Sequence, residues 1–396
     1  MRILFWLSIG LDRRATSEHL LTAIIEALYN EGHTVHILQK DTQGDRNELP
    51  SRLLELGVTT SRIKCPPSEH GNLIARYIKD IRYYLNGGKW LRKNRGFDKV
   101  FLQSTNLAGL QVRLLRKTYR DISITYNVQD IFPENAGYSG VLSSGSIPFR
   151  MMSAIQKYAY RHADKIITIS EDMKTELIRI GAPAEHITVV YNWSYQDDPY
   201  DMKNLDYTRV APLLTPGKFN VVYGGNIGRM QNVDIVVQTA IHMKEQEDVV
   251  FHIFGDGVYK EKLQQMARQA NTSNIFFHPM LDSNDAPALY ASADVNVIPL
   301  GKNIYRTALP SKTATCLACG KPMIFAIGKD SSFGQMMESK TNTQLIDADD
   351  VKSMCKAIVK IKEKGPGMKS EWKEAFCKHF SKTINSRLYA NIITDE

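Results

Sequence analysis

The sequence predicts an α/β protein of two doubly wound, Rossmann-like domains. Three observations lead there. Apolar runs of strand length alternate with helix-periodic segments nearly from end to end, the pattern of parallel sheets with helices on both faces. A polar, turn-rich stretch at 194–218, holding Pro199, Pro212, Pro216 and Gly217, divides two such series. At 396 residues the chain exceeds one ordinary core and suits two.

The first series opens with a strand at 3–7, a helix at 17–30 and a strand at 35–38. In that helix Leu20, Leu21, Ile24, Ile25 and Leu28 recur at three and four residues, and Gly32 fits its C-cap. Further strands are expected at 99–102, 122–128, 166–169 and 188–191. The second series predicts strands at 219–223, 249–254, 275–277, 295–298 and 323–326. Between them lie helices near 233–244, 259–269, 286–292 and 311–318. The segment 371–393 also reads as helical.

Composition narrows the class. With 43% apolar and 23% charged residues, disorder and collagen-like structure are excluded. No apolar run reaches the roughly 20 residues that span a bilayer. Met1-Arg2 and the run at 3–7 faintly resemble a secretory leader, but the run is short and ends at Asp12-Arg13-Arg14 without a small-residue cleavage site. A buried first strand is expected instead, and the cytoplasm as compartment. Five cysteines, an odd number, argue against a disulfide framework. Cys316 and Cys319 form a CxxC with no second pair to complete a zinc site, so they read as small packed residues.

In parallel sheets, ligands sit where strands turn into helices at their carboxyl ends. Tyr223-Gly224-Gly225-Asn226-Ile227-Gly228-Arg229 occupies such a turn. Glycines there let backbone amides approach a phosphate, and Arg229 adds charge; a purely structural tight turn is the alternative. Phe254-Gly255-Asp256-Gly257 repeats the pattern. Leu309-Pro310-Ser311-Lys312 opens a helix with Ser311 as its N-cap. Lys312 then lies in a first helical turn, where the dipole disfavours a cation unless an anion compensates. The other reading is a solvated surface lysine.

These motifs resemble the family-four retaining glycosyltransferases of the GT-B fold, in the bacterial branch that builds capsule, O-antigen and exopolysaccharide and includes the L-fucosamine transferases. Besides the residues above, the likeness rests on Leu289-Tyr290-Ala291-Ser292-Ala293-Asp294-Val295 and Ala318-Cys319-Gly320-Lys321-Pro322. In the first half it rests on Glu31-Gly32-His33-Thr34-Val35, Val128-Gln129-Asp130-Ile131-Phe132-Pro133-Glu134, Ala163-Asp164-Lys165-Ile166-Ile167-Thr168-Ile169-Ser170 and Tyr191-Asn192-Trp193. It runs over nearly the whole chain.

The resemblance implies two domains facing a cleft: residues 1–200 binding the acceptor, 201–375 binding a nucleotide-sugar, and a C-terminal helix at 376–396 packing back on the first. It implies a hexosyltransferase-type, retaining, metal-independent enzyme without cofactor, with a UDP-sugar favoured as donor. The acceptor would be a lipid-linked saccharide in surface polysaccharide synthesis. Gly225, Asn226, Gly228, Arg229 and Lys312 would hold the donor diphosphate, and Gly255, Gly257, Pro279, Ser311 and Thr315 the base and ribose, with His278 and Met280 nearby. Asp130 and Glu134 would face the acceptor as catalytic acids or bases; each is also a plausible structural acid. One departure stands out: the family's two glutamates eight positions apart fall here on Thr307 and Thr315. A threonine offers one hydrogen bond where a carboxylate makes a charge-assisted pair. A catalytically weak partner subunit and a nucleotide-sugar epimerase are therefore alternatives. Asp347-Ala348-Asp349, a manganese-binding triplet in another glycosyltransferase fold, reads here as the cap of a helix at 351–362.

The formal net charge of +8 is concentrated in one stretch. Residues 73–120 hold twelve Lys and Arg against Asp80 and Asp98. Within 73–95, Ile74, Tyr77, Ile78, Ile81 and Leu85 share one helical face, with Arg76 and Lys79 opposite, Arg82 to one side, and Lys89, Trp90, Arg92, Lys93 and Arg95 following. Two readings stand open: the apolar face packs on the first domain, or the segment lies on an anionic membrane, placing the protein peripherally on its inner face. No helix-turn-helix, zinc finger or RNA-binding signature supports a nucleic-acid partner.

Overall fold

The computed structural model describes residues 1–8, 10–11, 18–41, 49–64, 73–365 and 371–396. The expected leader-like ending Asp12-Arg13-Arg14, the helix start at Ser17, Cys65, and the side chains of Ile74 and Arg76 lie outside the described residues. The chain divides into two compact units. Unit 1 comprises 1–137, 142–192 and 382–396, and unit 2 comprises 138–141 and 193–381.

Unit 1 runs β1 (Arg2–Trp6), α1 (Glu18–Asn30), β2 (Thr34–Asp41), α2 (Ser51–Glu55), β3 (Thr59–Lys64), α3 (Leu73–Lys93), β4 (Lys99–Gln103), α4 (Ala108–Thr118), β5 (Ser123–Val128), α5 (Glu134–Tyr138), α6 (Ile147–His162), β6 (Lys165–Thr168), α7 (Glu171–Arg179) and β7 (Ile187–Val189). Its seven strands stand in the order β3-β2-β1-β4-β5-β6-β7, every neighbouring pair parallel. Apolar runs buried on both faces, such as Ile3 to Leu7 and Val100 to Leu102, are what such a sheet demands. Gly32, at φ +82°, ends α1 as expected, and its N–H donates to the Tyr29 carbonyl at 2.9 Å.

Unit 2 runs β8 (Phe219–Gly224), α8 (Asp234–His242), β9 (Val249–Phe254), α9 (Lys260–Gln269), β10 (Ile275–His278), α10 (Ala286–Ser292), β11 (Val295–Pro299), α11 (Lys312–Ala318), β12 (Met323–Ala326), α12 (Ser332–Lys340), β13 (Thr343–Ile346), α13 (Val351–Lys364) and α14 (Trp372–Phe380). Its six-stranded parallel sheet has the order β10-β9-β8-β11-β12-β13. One face carries Val221, Tyr223, Phe251 and Ile253 into a core with Val236, Leu263 and Ile358 of the covering helices.

The chain then turns back. α15 (Lys382–Thr394) belongs to unit 1. There Tyr389 is buried and its hydroxyl donates to Asn127 Oδ1 at 3.1 Å, while Asn385 Nδ2 donates to the Tyr191 carbonyl at 2.9 Å. Lys99 and Lys165 both pair with Asp395 just past its end.

Four differences from the sequence reading have physical causes. The strands β3 and β13 were not expected; both are sheet edges, where one flank faces water and no continuous apolar run is needed. The helical stretch at 371–393 is two helices, broken at Ser381, which adopts φ −66°, ψ 129°. The acidic triplet does not itself cap α13; the next residue, Asp350, does, accepting from the Ser353 N–H at 2.9 Å. Finally, α3 does not pack through Ile78, Ile81 and Leu85, which are exposed. It packs through Tyr83, Tyr84 and Leu91, with Gly87 so close to Trp6 that a Cβ there would stand 2.4 Å from the indole.

Candidate functional site

In each sheet the strand order reverses direction once, between β1 and β4 in unit 1 and between β8 and β11 in unit 2. Connections leaving two such neighbours diverge to opposite faces and leave a crevice at the carboxyl ends. In unit 2 the segments leaving β8 and β11 are the glycine turn 224–228 and the loop that enters α11. The topology therefore brings together two motifs more than eighty positions apart in sequence.

Lys312 is where they meet. As the first residue of α11, its ammonium stands 3.8 Å from the centre of the Tyr223 ring and 2.9 Å from where a Cβ on Gly225 would be. Its Nζ is buried without a hydrogen-bond partner. Burial lowers its pKa from the ordinary 10.5 to about 8. Cys316, one turn on, has a thiol pushed well up by burial and so supplies no counter-charge near neutral pH. Among the described residues, the ring face of Tyr223 lies against the ammonium and stabilises it. The surface-lysine reading is thereby overturned: the amine is shut off from water.

The turn beside it is held by backbone. Gly225 N donates to Phe254 O at 2.9 Å and Ile227 N to Asp256 O at 2.8 Å, so the turn stacks on the loop 255–257. A Cβ on Gly255 would lie 1.9 Å from Gly225 O, and one on Gly257 2.4 Å from Ile227 O. Both glycines are required for that stacking, whatever else they contact. Asn226 and Arg229 stand exposed at the rim, and Gly228 is half-buried between them. Pro279 and Met280 are exposed just past β10. Before them His278 stacks on Phe254 at 4.2 Å and its Nε2 lies 3.0 Å from His252 Nδ1. Burial lowers the pKa of both histidines, His252 to about 4, so the pair is neutral near pH 7.

The remaining positions are less open. Ser311 precedes α11 but its side chain makes no capping hydrogen bond, because it is itself in the helical region at φ −59°, ψ −28°. Thr307 is fully buried and its hydroxyl donates to Ile304 O at 3.1 Å within its own loop. Thr315 is 6% exposed in the body of α11. Cys316 and Cys319 are buried and unbridged, and the Cys319 thiol donates to Pro287 O at 3.4 Å, as packed residues do.

In unit 1 the two acids follow β5. Asp130 is exposed, and its backbone carbonyl accepts from the Ser104 hydroxyl at 3.2 Å. Glu134 begins α5, is 7% exposed, and its Oε2 is buried without a hydrogen-bond partner. Burial raises its pKa, with the Glu176 charge adding to the rise and Lys157 and Arg179 opposing it.

Two family models match these two units in turn. Residues 18–193 match the glycosyl transferase 4-like domain and residues 218–364 the glycosyl transferases group 1 domain. The chain is a two-domain glycosyltransferase. It is 24% identical over 277 residues to the glycosyltransferase WbjE of Pseudomonas aeruginosa, covering 69% of each chain. It is 27% identical over 205 residues to WcaI of Escherichia coli, named as a colanic acid biosynthesis glycosyl transferase, covering 51% of this chain and 50% of that one. Among solved structures, HepE of Anabaena in complex with UDP and glucose superposes with a TM-score of 0.71 at 15% identity, covering all of both chains. The lipopolysaccharide outer core galactosyltransferase WaaB gives 0.67 at 13%, over 100% of this chain and 99% of that one. The fold is thus GT-B.

For this glycosyltransferase, sequence reasoning passed over Lys260 and His252. Lys260 is the first residue of α9, and its ammonium donates to Gly255 O at 2.7 Å and His278 O at 3.0 Å, tying two loops of the site together. The signal was present: it is a lysine in a first helical turn, the same anomaly that singled out Lys312. His252 lies inside a fully buried strand, and nothing in its neighbours distinguishes it from a packed residue.

Proposed function

We propose that this glycosyltransferase moves a sugar from a nucleoside diphosphate, with UDP favoured, to a lipid-linked saccharide in bacterial surface polysaccharide synthesis, with retention and without a metal or cofactor. The observation that carries the reading is Lys312. A buried ammonium with no anionic partner beside a glycine turn is costly unless a ligand completes it, and a diphosphate has the charge and reach to do so. UDP in the structurally similar HepE complex agrees with that choice of nucleotide.

In this reading Lys312, Arg229 and the amides of Asn226 and Gly228 hold the diphosphate, and Gly225, its own amide tied to the Phe254 carbonyl, lets the chain come close to it. Gly255, Gly257, Pro279, Ser311 and Thr315 border the nucleoside, over the Phe254–His278 stack. As the bond from the sugar's anomeric carbon to the diphosphate breaks, charge grows on the leaving oxygen; a fixed ammonium placed there stabilises it without reorganisation. The acceptor hydroxyl forms the new bond and loses its proton, a role assigned to Asp130 or Glu134, the carboxyls of both being pushed upward by desolvation. The enzyme works in the cytoplasm at the inner membrane face, where such acceptors are anchored. The relatives named above carry glycosyltransferase names, which favours transfer over a non-catalytic subunit or an epimerase.

The test is incubation with a panel of nucleotide-sugars and polyprenyl-diphosphate-linked saccharides. UDP release that requires both substrates is the expected result. Release with none of the donors, together with no thermal stabilisation by UDP or GDP, would overturn the reading.

A further inference from the structure

We propose that Asn220, His252 and His278 form a relay that presents Nδ1 of His278 as a hydrogen-bond acceptor for the ring N–H of the donor's nucleobase, so that uracil is selected over cytosine. The relay itself stands on hydrogen bonds within unit 2. The base it selects rests on the nucleotide-sugar reading given above.

Asn220, in β8, sets the first link. Its Nδ2 faces acceptors: the Thr215 carbonyl at 3.2 Å, the Lys218 carbonyl at 2.9 Å and Asp294 Oδ2 at 3.5 Å. Its Oδ1 accepts from the Thr215 N–H at 3.0 Å, so the amide stands one way round. His252 Nε2 lies 3.0 Å from that same Oδ1 and must carry a hydrogen to meet it. The Thr215 hydroxyl, 3.4 Å from this nitrogen, is a weaker second partner. Burial keeps His252 neutral near pH 7, so its Nδ1 is bare. His278 Nε2, 3.0 Å from it, is then the donor. The two ring centres lie 5.3 Å apart and the planes differ by 21°, which suits rings joined edge to edge. Burial, helped by Lys260, also lowers the pKa of His278. Its one proton therefore sits on Nε2, and Nδ1 keeps its lone pair.

That lone pair is turned to the ligand side. The nitrogens of an imidazole point nearly opposite ways. Phe254 is the register partner of His278, so His252 lies two positions nearer the amino end of the parallel sheet. Nδ1 accordingly faces the carboxyl end, where ligands bind. Among the described residues it has no hydrogen-bond partner. The Phe254 ring, 4.2 Å away and 14° from parallel, holds the imidazole, and the Lys260 ammonium holds its carbonyl at 3.0 Å.

Uracil carries a hydrogen on ring nitrogen N3, whereas cytosine has a lone pair there. A fixed acceptor bonds the first and leaves two lone pairs opposed in the second. A histidine outside such a chain can shift its proton between nitrogens and suit either base. Asn220, acting through His252, removes that freedom; both are positioning residues for His278.

The experiment has two arms, both on the full-length protein. Ring-nitrogen NMR with isotope-labelled histidine, assigned through His278→Phe, should show the His278 proton on Nε2 near pH 7 without ligand. Calorimetry should show UDP binding about thirtyfold tighter than CDP or N3-methyl-UDP. His278→Phe keeps a ring on Phe254 and should bring the three within about threefold of one another. His252→Phe should erase the selectivity as well, although it removes no contact to the base. A proton on His278 Nδ1 in the free protein overturns the proposal, and the wild-type spectrum decides this whether or not the His252 variant folds. UDP bound no better than CDP and N3-methyl-UDP overturns it too, while leaving the donor reading intact. So does selectivity that survives His252→Phe, the signature of a merely packed histidine. A protein that binds none of the three nucleotides overturns the donor reading, and the base assignment with it.

Discussion

The two units share one architecture and bury opposite charges at the same end of it. In unit 2 the carboxyl end of the sheet holds Lys312, desolvated beside glycines and an aromatic ring. In unit 1 it holds Glu134, desolvated with one oxygen unbonded. Both groups are pushed toward neutrality, the lysine downward and the acid upward. The difference lies in what surrounds them. Glu134 has Glu176, Lys157 and Arg179 nearby, so its field is built from the protein, whereas Lys312 has no ionised neighbour among the described residues. On the function proposed above, the lysine is completed by the donor's diphosphate and the carboxyl holds the acceptor's proton. The proposal thus assigns leaving-group stabilisation to one copy of the fold and acid–base work to the other.

Substitutions sharpen that contrast. Lys312→Ala should cost the most, about a thousandfold in kcat/KM, with stability unchanged or improved because an unpaired buried charge is removed; steady-state kinetics and thermal melts check both halves. Glu134→Gln should lower kcat about a hundredfold while leaving UDP affinity as it was, and a matching loss of UDP binding would break the division of labour. Gly255→Ala should destabilise the fold by roughly 2 kcal/mol, since its methyl must displace the Gly225 carbonyl. A melt identical to wild type would show that the stacked loops do not constrain that residue.

The smallest effect is on pH. Free Lys312 titrates at about 8 and the unfolded lysine at 10.5. Between these values the unfolded chain binds more protons, so stability rises with pH across that window. Ligand binding runs the other way, because a diphosphate favours the ammonium. UDP affinity should fall about tenfold between pH 7 and pH 9, and Lys312→Arg should flatten the dependence.

Much of this was legible beforehand, for identifiable reasons. Buried parallel strands need unbroken apolar runs, so the central strands of both sheets stand out; β3, Thr59–Lys64, has a single buried residue and does not. Lys312 was conspicuous because a lysine in a first helical turn opposes the dipole, and Lys260 obeys the same rule unnoticed. What the chain could not reveal was direction. Ile78, Ile81 and Leu85 have the spacing of a core stripe, yet Tyr83, Tyr84 and Leu91 are the residues that pack, because Gly87 lets that face approach Trp6. Burial of the Lys312 amine likewise depends on Tyr223 and Gly225, nearly ninety positions away, which only the strand order brings close.

The most direct test is an NMR titration of the Lys312 side-chain amine, using lysine labelled at Cε and assigned through Lys312→Arg. Without ligand its pKa should lie near 8, and saturating UDP should raise it to the ordinary lysine value or above. A pKa already ordinary in the free protein, or one that UDP leaves unmoved, would contradict the account.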